Sequence, residues 1–208
     1  IAMAPFEVVG ATAEKQVEGT LALPETFPGT VAVIPRFQEL VKEYTADDGS
    51  IDFPEGVTAR TLLQKATRAH LNDMGLDVSG LTDAQMSDNH GWCLFPNFFM
   101  TIRAGECHVI MALPHPDGDP NRCLWHVASF MYLPPEMADA FKVDLIEVDE
   151  PGSYKYFEAL QQDYEQMQRQ QSGLRNKGLD HLTLVKEEVV VAKFHDTVDR
   201  WMAGKGAR

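Results

Sequence analysis

Asp163 is the residue whose type and position best fit chemistry in this sequence. It lies in a predicted helix between Leu160 and Met167, two apolar residues on one stripe. A carboxylate in that position is expected to point toward a core or a cavity, where an unpaired and uncoordinated charge is costly. The periodicity alone leaves a second interpretation open, in which Asp163 is a rim carboxylate that faces solvent or pairs with a neighbour.

Histidine and cysteine add no recognisable metal motif. None of the seven histidines has another at H-x-x-x-H or H-E-x-x-H spacing, and no two cysteines form a C-x-x-C pair. His108 and His126 lie on adjacent predicted strands and could face each other, which would be a weak metal site without a carboxylate. The sequence also has no glycine-rich phosphate loop and no G-x-S-x-G motif.

The composition excludes several classes of partner. The 208 residues carry a formal net charge of −13, which predicts no binding to nucleic acid or to anionic membranes, since both attract clustered cationic side chains. No apolar run has the length of a membrane span, and no signal peptide is recognisable. The three cysteines are expected to be reduced, and the protein is expected to be cytoplasmic.

The first third of the chain is predicted to be loop followed by helices. Residues 1–35 contain four prolines and no sustained helical period, so loops and short strands are expected there. Helices are predicted at 36–44 and at 57–74, the second with Thr58 as its N-cap. A short third helix is predicted to begin after Thr82.

The remaining chain is predicted to form an antiparallel meander and then two long helices. The strands are expected at 92–103, 107–113 and 123–133. A short helix from Pro135 precedes helices at 153–171 and 185–202, and Gly173 is expected to end the first of these two. This order predicts the α+β class, with helices on one face of an antiparallel sheet.

Three ordered stretches together resemble a known family. They are Leu94-Phe95-Pro96-Asn97-Phe98, then Gln162-Asp163 with Gln170 and Gly173-Leu174, then Phe194-His195 with Val198-Asp199-Arg200-Trp201. They resemble the α subunit of Rieske-type non-heme iron ring-hydroxylating oxygenases, over roughly residues 85–204.

The resemblance implies a helix-grip (START/Bet v 1-like) fold, an antiparallel sheet around a long C-terminal helix, here incomplete at the N-terminus. It implies a mononuclear Fe(II) held by two histidines and one aspartate, to which Asp163 corresponds. The substrate cavity would lie between the sheet and the helix, against the inward faces of 107–113 and 124–132. The pocket residues expected from this are Phe95, Asn97, Phe99, Leu160 and Met167.

Two segments of the family pattern are missing from the 208 residues. These are the E-x-x-x-E-x-x-H-x-x-x-x-H segment with the two iron histidines, and the C-x-H and C-x-x-H pairs of the Rieske cluster. Residues 1–208 are therefore expected to be one portion of a catalytic domain, inactive alone, whose Rieske [2Fe–2S] cluster lies in another domain. The start at Ile1 favours a fragment, and residues 1–84, a loop and helical region, have no assignment in the family pattern.

The function implied by the resemblance is iron- and O2-dependent hydroxylation of an aromatic or other apolar substrate. Electrons would come from a ferredoxin and its reductase. The family commonly assembles as homotrimers, and the sequence leaves the oligomeric state open. Two alternatives remain: a non-catalytic helix-grip module that binds a small apolar ligand, and a structural or regulatory partner of a complete catalytic subunit.

Overall fold

The first part of the chain is a bundle of short helices. The computed structural model describes residues 2–4, 11–140 and 143–206. The helices are α1 (Ala13–Leu21), α2 (Leu23–Thr26), a 3-10 helix (Pro28–Ala32), α3 (Ile34–Lys42), α4 (Ala59–Asp73) and α5 (Asp83–Ser87). The prediction of loops and short strands throughout residues 1–35 is therefore wrong, because α1, α2 and the 3-10 helix lie within that range.

Helix α1 is stabilised by its N-cap and by the burial of one side of the helix. The sequence pattern does not reveal that side, because one of its buried residues is polar. The Thr12 side chain accepts a hydrogen bond from the backbone N–H of Lys15 at 3.4 Å. Val17 and Thr20, three positions apart on one side of the helix, are both buried. The Thr20 hydroxyl donates to the carbonyl of Gln16 at 2.8 Å, so a polar residue can take a core position.

Helices α4 and α5 begin where the sequence predicted. Thr58 caps α4 and forms a reciprocal capping box with Thr61. Thr82 caps α5 in the same way with Gln85. Helix α4 ends before Gly75, whose φ of 83° lies in the left-handed region that glycine adopts without steric cost.

The buried hydrophobic core lies in this helical part. Its largest cluster has α3 and α4 at its centre and consists of Val17, Leu23, Val33, Phe37, Val41, Ala59, Leu62, Leu63 and Ala66. A smaller cluster consists of Leu71, Leu76, Val78 and Met86. Within the described residues, Leu160, at 5% exposure, is the one member of the buried hydrophobic core beyond position 86.

A partly buried ion pair joins the helical part to the sheet. Arg60 of α4 donates two hydrogen bonds to the carboxylate of Asp88, at 2.8 and 2.9 Å. Asp88 is buried and directly precedes the second strand of the sheet. Both hydrogen bonds come from Nη2, while Nε of Arg60 donates to the Ser87 hydroxyl at 3.3 Å. Arg60 is thereby held to two consecutive residues and positions the start of that strand against α4.

The sheet has five antiparallel strands in the order of the sequence. They are β1 (Ala2–Ala4), β2 (Asn89–Leu94), β3 (Phe98–Arg103), β4 (Glu106–Pro114) and β5 (Cys123–Met131). The single strand predicted at 92–103 is in fact two, because a turn with a cis Phe95–Pro96 peptide bond separates β2 from β3. Pro96 and Asn97 are turn residues, and the prediction passed over them because apolar residues lie on both sides.

The register of the strands aligns side chains in rows across one side of the sheet. Phe99, Ile110 and Val127 are opposite one another on β3, β4 and β5. Because side chains alternate along a strand, Trp125 of β5 lies on the same side. We call this side the inner face.

Three further helices follow the sheet: α6 (Pro135–Ala138), α7 (Glu158–Leu174) and α8 (Val189–Met202). Helix α6 ends earlier than the predicted Phe141, which lies outside the described residues. The predicted helix at 153–171 starts five residues late, since residues 153–157 are not helical and Phe157 is its N-cap. A 3-10 turn (Lys186–Glu188) likewise replaces the predicted first turn of α8.

Gly173 does not end α7, contrary to the prediction. It lies inside the helix without a positive φ, and the helix continues to Leu174. Gly204, after α8, has a φ of 71° and occupies the left-handed position that helix termini favour. Both glycines follow an apolar stripe in the sequence, so the pattern alone did not separate them.

The sheet and the last two helices expose much of their apolar surface. The exposed large side chains include Phe99, Leu124, Phe130, Met131, Leu174, Val189, Trp201 and Met202. Aromatic contacts join α7 to the sheet through Trp125 and Tyr164, and α8 to the β2–β3 turn through Phe95 and Phe194. The fold is α+β, as predicted, with the sheet flanked by helices from both ends of the chain.

Candidate functional site

Asp163 is an exposed carboxylate on the first half of α7. Leu160, one turn before it, is buried, whereas Met167, one turn after it, is exposed. Among the described residues, nothing donates a hydrogen bond to the Asp163 carboxylate, and no cation pairs with it. The expectation that Asp163 points into a core or closed cavity is thus not met in the 208-residue chain, and its carboxylate is free to bind a ligand from outside.

An aromatic cluster holds this half of α7 against the inner face. The ring of Tyr164, next to Asp163, stacks on Trp125 with centroids 5.5 Å apart and planes 22° apart. Tyr156 packs edge-on against the same Trp125 at 5.2 Å. Burial raises the pKa of Tyr156, and the neighbouring Tyr164 and Tyr154 raise it further. Asp163 is therefore positioned by a rigid helix whose adjacent residue is fixed to β5.

The far end of α7 is tied to the loop between β4 and β5. Arg175, the C-cap of α7, donates a hydrogen bond to the side-chain oxygen of Asn121. The loop is itself ordered by Asp117, whose carboxylate accepts from the backbone N–H of Asp119 at 2.9 Å and is paired with Arg122. The hydrogen bond from Asp119 is the main cause that lowers the pKa of Asp117.

The five pocket residues expected from the family resemblance lie in different surroundings in the structure. Phe99 is on the inner face and exposed, and Phe95 packs on Phe194 and Trp201 of α8, with ring centroids 5.9 and 5.7 Å away. The Asn97 amide donates to the carbonyl of Ala112 at 2.7 Å, so it fixes the β2–β3 turn to β4.

The two expected pocket residues on α7 face different surroundings. Leu160 is buried, and its helix α7 contacts α2 of the helical part. Met167 is exposed, on the same stripe as Asp163. Phe99 and Met167 are thus accessible apolar surface, whereas Leu160 and Asn97 have structural contacts.

The inner face carries a polar row that sequence reasoning did not find. Thr101, His108 and Ser129 are opposite one another across β3, β4 and β5, next to the apolar row of Phe99. The Ser129 hydroxyl and Nδ1 of His108 are 2.8 Å apart. His108 therefore faces Ser129. His126 lies opposite Met111 on the other side of the sheet, so the suggested facing of the two histidines is wrong.

The side chains of the described residues do not by themselves fit a three-ligand iron centre. Within residues 2–4, 11–140 and 143–206, no group of three or more histidine, cysteine, aspartate or glutamate side chains is placed to hold a metal. A two-histidine, one-carboxylate site needs three such groups on one side of the ion. Asp163 alone offers one.

No helix in the described part of the chain is long and apolar enough to cross a membrane. Two comparisons with known proteins, with the curated proteins and with the solved structures, gave no match to the chain.

The third comparison, with protein families, gave a match over most of the chain. Residues 29–204 match the family described as "Ring hydroxylating alpha subunit (catalytic domain)". The match starts well before the three motifs found in the sequence and takes in helices α3 to α8 and strands β2 to β5. We conclude that the chain belongs to the catalytic-domain family of ring-hydroxylating α subunits, oxidoreductases that use a non-heme iron and a Rieske cluster.

Proposed function

We propose that the chain is a portion of an oxygenase catalytic domain that hydroxylates an aromatic or other apolar substrate with O2. The family match over residues 29–204 carries this proposal. Electrons would reach the site from a ferredoxin and reductase through a Rieske [2Fe–2S] cluster held by another domain or subunit. Assembly as a homotrimer is part of the same proposal.

Asp163 is proposed as the carboxylate ligand of a mononuclear Fe(II). Its carboxylate is exposed and unpaired in the described chain, and its helix is fixed to β5 by the Trp125–Tyr164 stack. A rigidly placed negative oxygen donor suits Fe(II) when two neutral imidazoles complete the same side. Those two histidines would come from outside the 208 residues, because the E-x-x-x-E-x-x-H-x-x-x-x-H segment that carries them in the family is missing from these residues.

The chain's own contribution to the reaction is orientation and exclusion of water. Phe99, Ile110 and Val127 form an apolar row on the inner face, and Trp125 lies on the same face beside α7. An apolar ring that covers this row removes both surfaces from water, which favours binding by roughly 25 cal/mol per Å² of apolar area. The iron, when bound, supplies the oxidation chemistry.

The experiment uses the natural full-length protein with its electron donors, a panel of aromatic substrates and ¹⁸O2. Wild type is expected to form a hydroxylated product that carries ¹⁸O, and Asp163→Asn is expected to form none. Glu165→Gln is the matched control, since it removes a carboxylate two residues away on the same helix and should retain activity. Labelled product from Asp163→Asn at the wild-type rate would rule out the proposed role of Asp163.

The alternative, a binding module without catalysis, has its own signature in this experiment. Wild type would bind members of the panel, measured by calorimetry, and would release them unchanged. Asp163→Asn would then alter affinity without any effect on product, because there would be none.

A further inference from the structure

Arg103 is a buried guanidinium without a hydrogen bond. It is the last residue of β3, and its side chain is 10% exposed. In the described part of the chain none of its N–H groups donates a hydrogen bond, and Nη1 is fully enclosed. Its two close contacts are Glu106 Oε1, 3.4 Å from Nη1 but without hydrogen-bond geometry, and the Phe27 ring, 5.0 Å below. A guanidinium has five donors, and a buried unused donor is costly.

Glu106, the partner of Arg103, is equally short of hydrogen bonds. Its side chain is 14% exposed, and it accepts no hydrogen bond from the described residues. The backbone of Gly29 lies so close that an added Cβ would be 1.8 Å from Oε2 of Glu106. The carboxylate is therefore held in place by a glycine that leaves room for it, rather than by donors.

A cavity of about 60 Å³ opens beside this pair. The helices supply apolar side chains, among them Leu63, Leu71 and Met86, and also the polar Thr67 and His70 of α4. The charged groups of the cavity are Arg103 and Glu106. The volume corresponds to about two water molecules at ~30 Å³ each, or to a polar group of a few atoms. Ala32, an exposed residue, also lines the cavity.

We propose that this cavity is a binding site for a small neutral group that both accepts and donates hydrogen bonds, such as a primary carboxamide. Its oxygen accepts from Nε or Nη2 of Arg103, which are not enclosed as Nη1 is, and its N–H donates to Glu106. An anion would satisfy Arg103 but would be repelled by Glu106, and an acceptor without a donor would leave Glu106 unsatisfied.

The site is separate from the one on α7. Glu106 and Ala112 lie six residues apart on β4, and Ala112 pairs with Trp125, so the two sites are about 20 Å apart along the sheet. The proposal therefore does not depend on iron or on hydroxylation.

Three molecules of equal size and different hydrogen bonding test the proposal. Acetamide, acetate and acetone are titrated to ~100 mM into the ¹⁵N-labelled chain, and the amide resonances of Gly105 and Glu106 are followed. Acetamide is expected to bind at least about tenfold more tightly than the other two, because only it satisfies both groups. Tighter binding of acetate, equal binding of acetone, or no saturable shift with acetamide would each overturn the proposal.

Two variants check that the shifts report this cavity. Ala32→Trp is expected to close the mouth and abolish the acetamide shifts while the melting temperature stays unchanged. Glu106→Gln removes the repelling charge but keeps the shape, so acetate should then bind at least as well as acetamide. An unchanged preference in Glu106→Gln, with the variant still folded, would show that Glu106 does not select the ligand and would overturn the proposal.

Discussion

Leu62→Ala, a truncation in the core, is expected to lower the stability of the fold more than Leu174→Ala, the same truncation at the surface. Leu62 lies on α4 in the helical core and is 1% exposed, whereas Leu174 at the end of α7 is 54% exposed. Burial of the lost groups contributes roughly 0.8 kcal/mol for each methylene equivalent. The cavity left behind brings the cost of Leu62→Ala to about 3 kcal/mol, within the range for buried leucines.

The same truncation at Leu174 should lower the free energy of unfolding by less than about 0.5 kcal/mol, because about half of this side chain remains exposed to water in the folded protein. For a chain of this size, 1 kcal/mol shifts the melting temperature by about 2–4 °C, so Leu62→Ala should melt about 6–12 °C lower. Leu174→Ala should stay within about 2 °C of wild type. Thermal unfolding of the 208-residue chain followed by circular dichroism measures both. A larger loss for Leu174→Ala than for Leu62→Ala would refute the assignment of the core to the helical part.

Two further predictions concern glycines and thiols. Gly173→Ala is expected to raise the free energy of unfolding by about 0.5–1 kcal/mol, because Gly173 is helical and its Cβ would meet nothing within 4 Å. Gly204→Ala should lower the free energy of unfolding by about 1 kcal/mol, because a φ of 71° is strained for alanine. Chemical denaturation of both variants measures these changes, and equal effects of the two substitutions would contradict the structure. Burial raises the pKa of the Cys107 thiol, so its thiolate is scarcer at any given pH than that of an ordinary thiol. Iodoacetamide at pH 8 should alkylate the exposed Cys93 and Cys123 before Cys107, as read by peptide mass spectrometry, and Cys107 reacting first would show that its surroundings are open.

Helix starts were predictable where a side chain caps the backbone. Thr58 and Thr82 mark the starts of α4 and α5 because each hydroxyl accepts from a backbone N–H of the first turn. The start of α7 was misplaced because Phe157 caps it without a side-chain hydrogen bond. Helix α1 was missed because one of its two buried residues is Thr20, whose hydroxyl is satisfied only by a contact that the folded helix creates.

The sequence singled out the carboxylate of the candidate site, whose role as a ligand stays a prediction, but it gave no information about the surroundings of that carboxylate. Asp163 was singled out by its spacing from neighbouring residues, which can be recognised in the sequence without a structure. The polar row of Thr101, His108 and Ser129 depends on strand register, since residues from three strands become neighbours only once the hairpins form. The cavity at Arg103 joins a strand end to helices far away in the chain, and local patterns carry no information about such a contact.

Metal analysis of the natural full-length protein tests the role of Asp163 most directly. A complete subunit with one [2Fe–2S] cluster and one mononuclear site should contain about three irons per chain. The account predicts about three in wild type and in Glu165→Gln, and about two in Asp163→Asn, whose cluster remains. Equal iron in Asp163→Asn and wild type would contradict the account, because the carboxylate of α7 would then hold no metal.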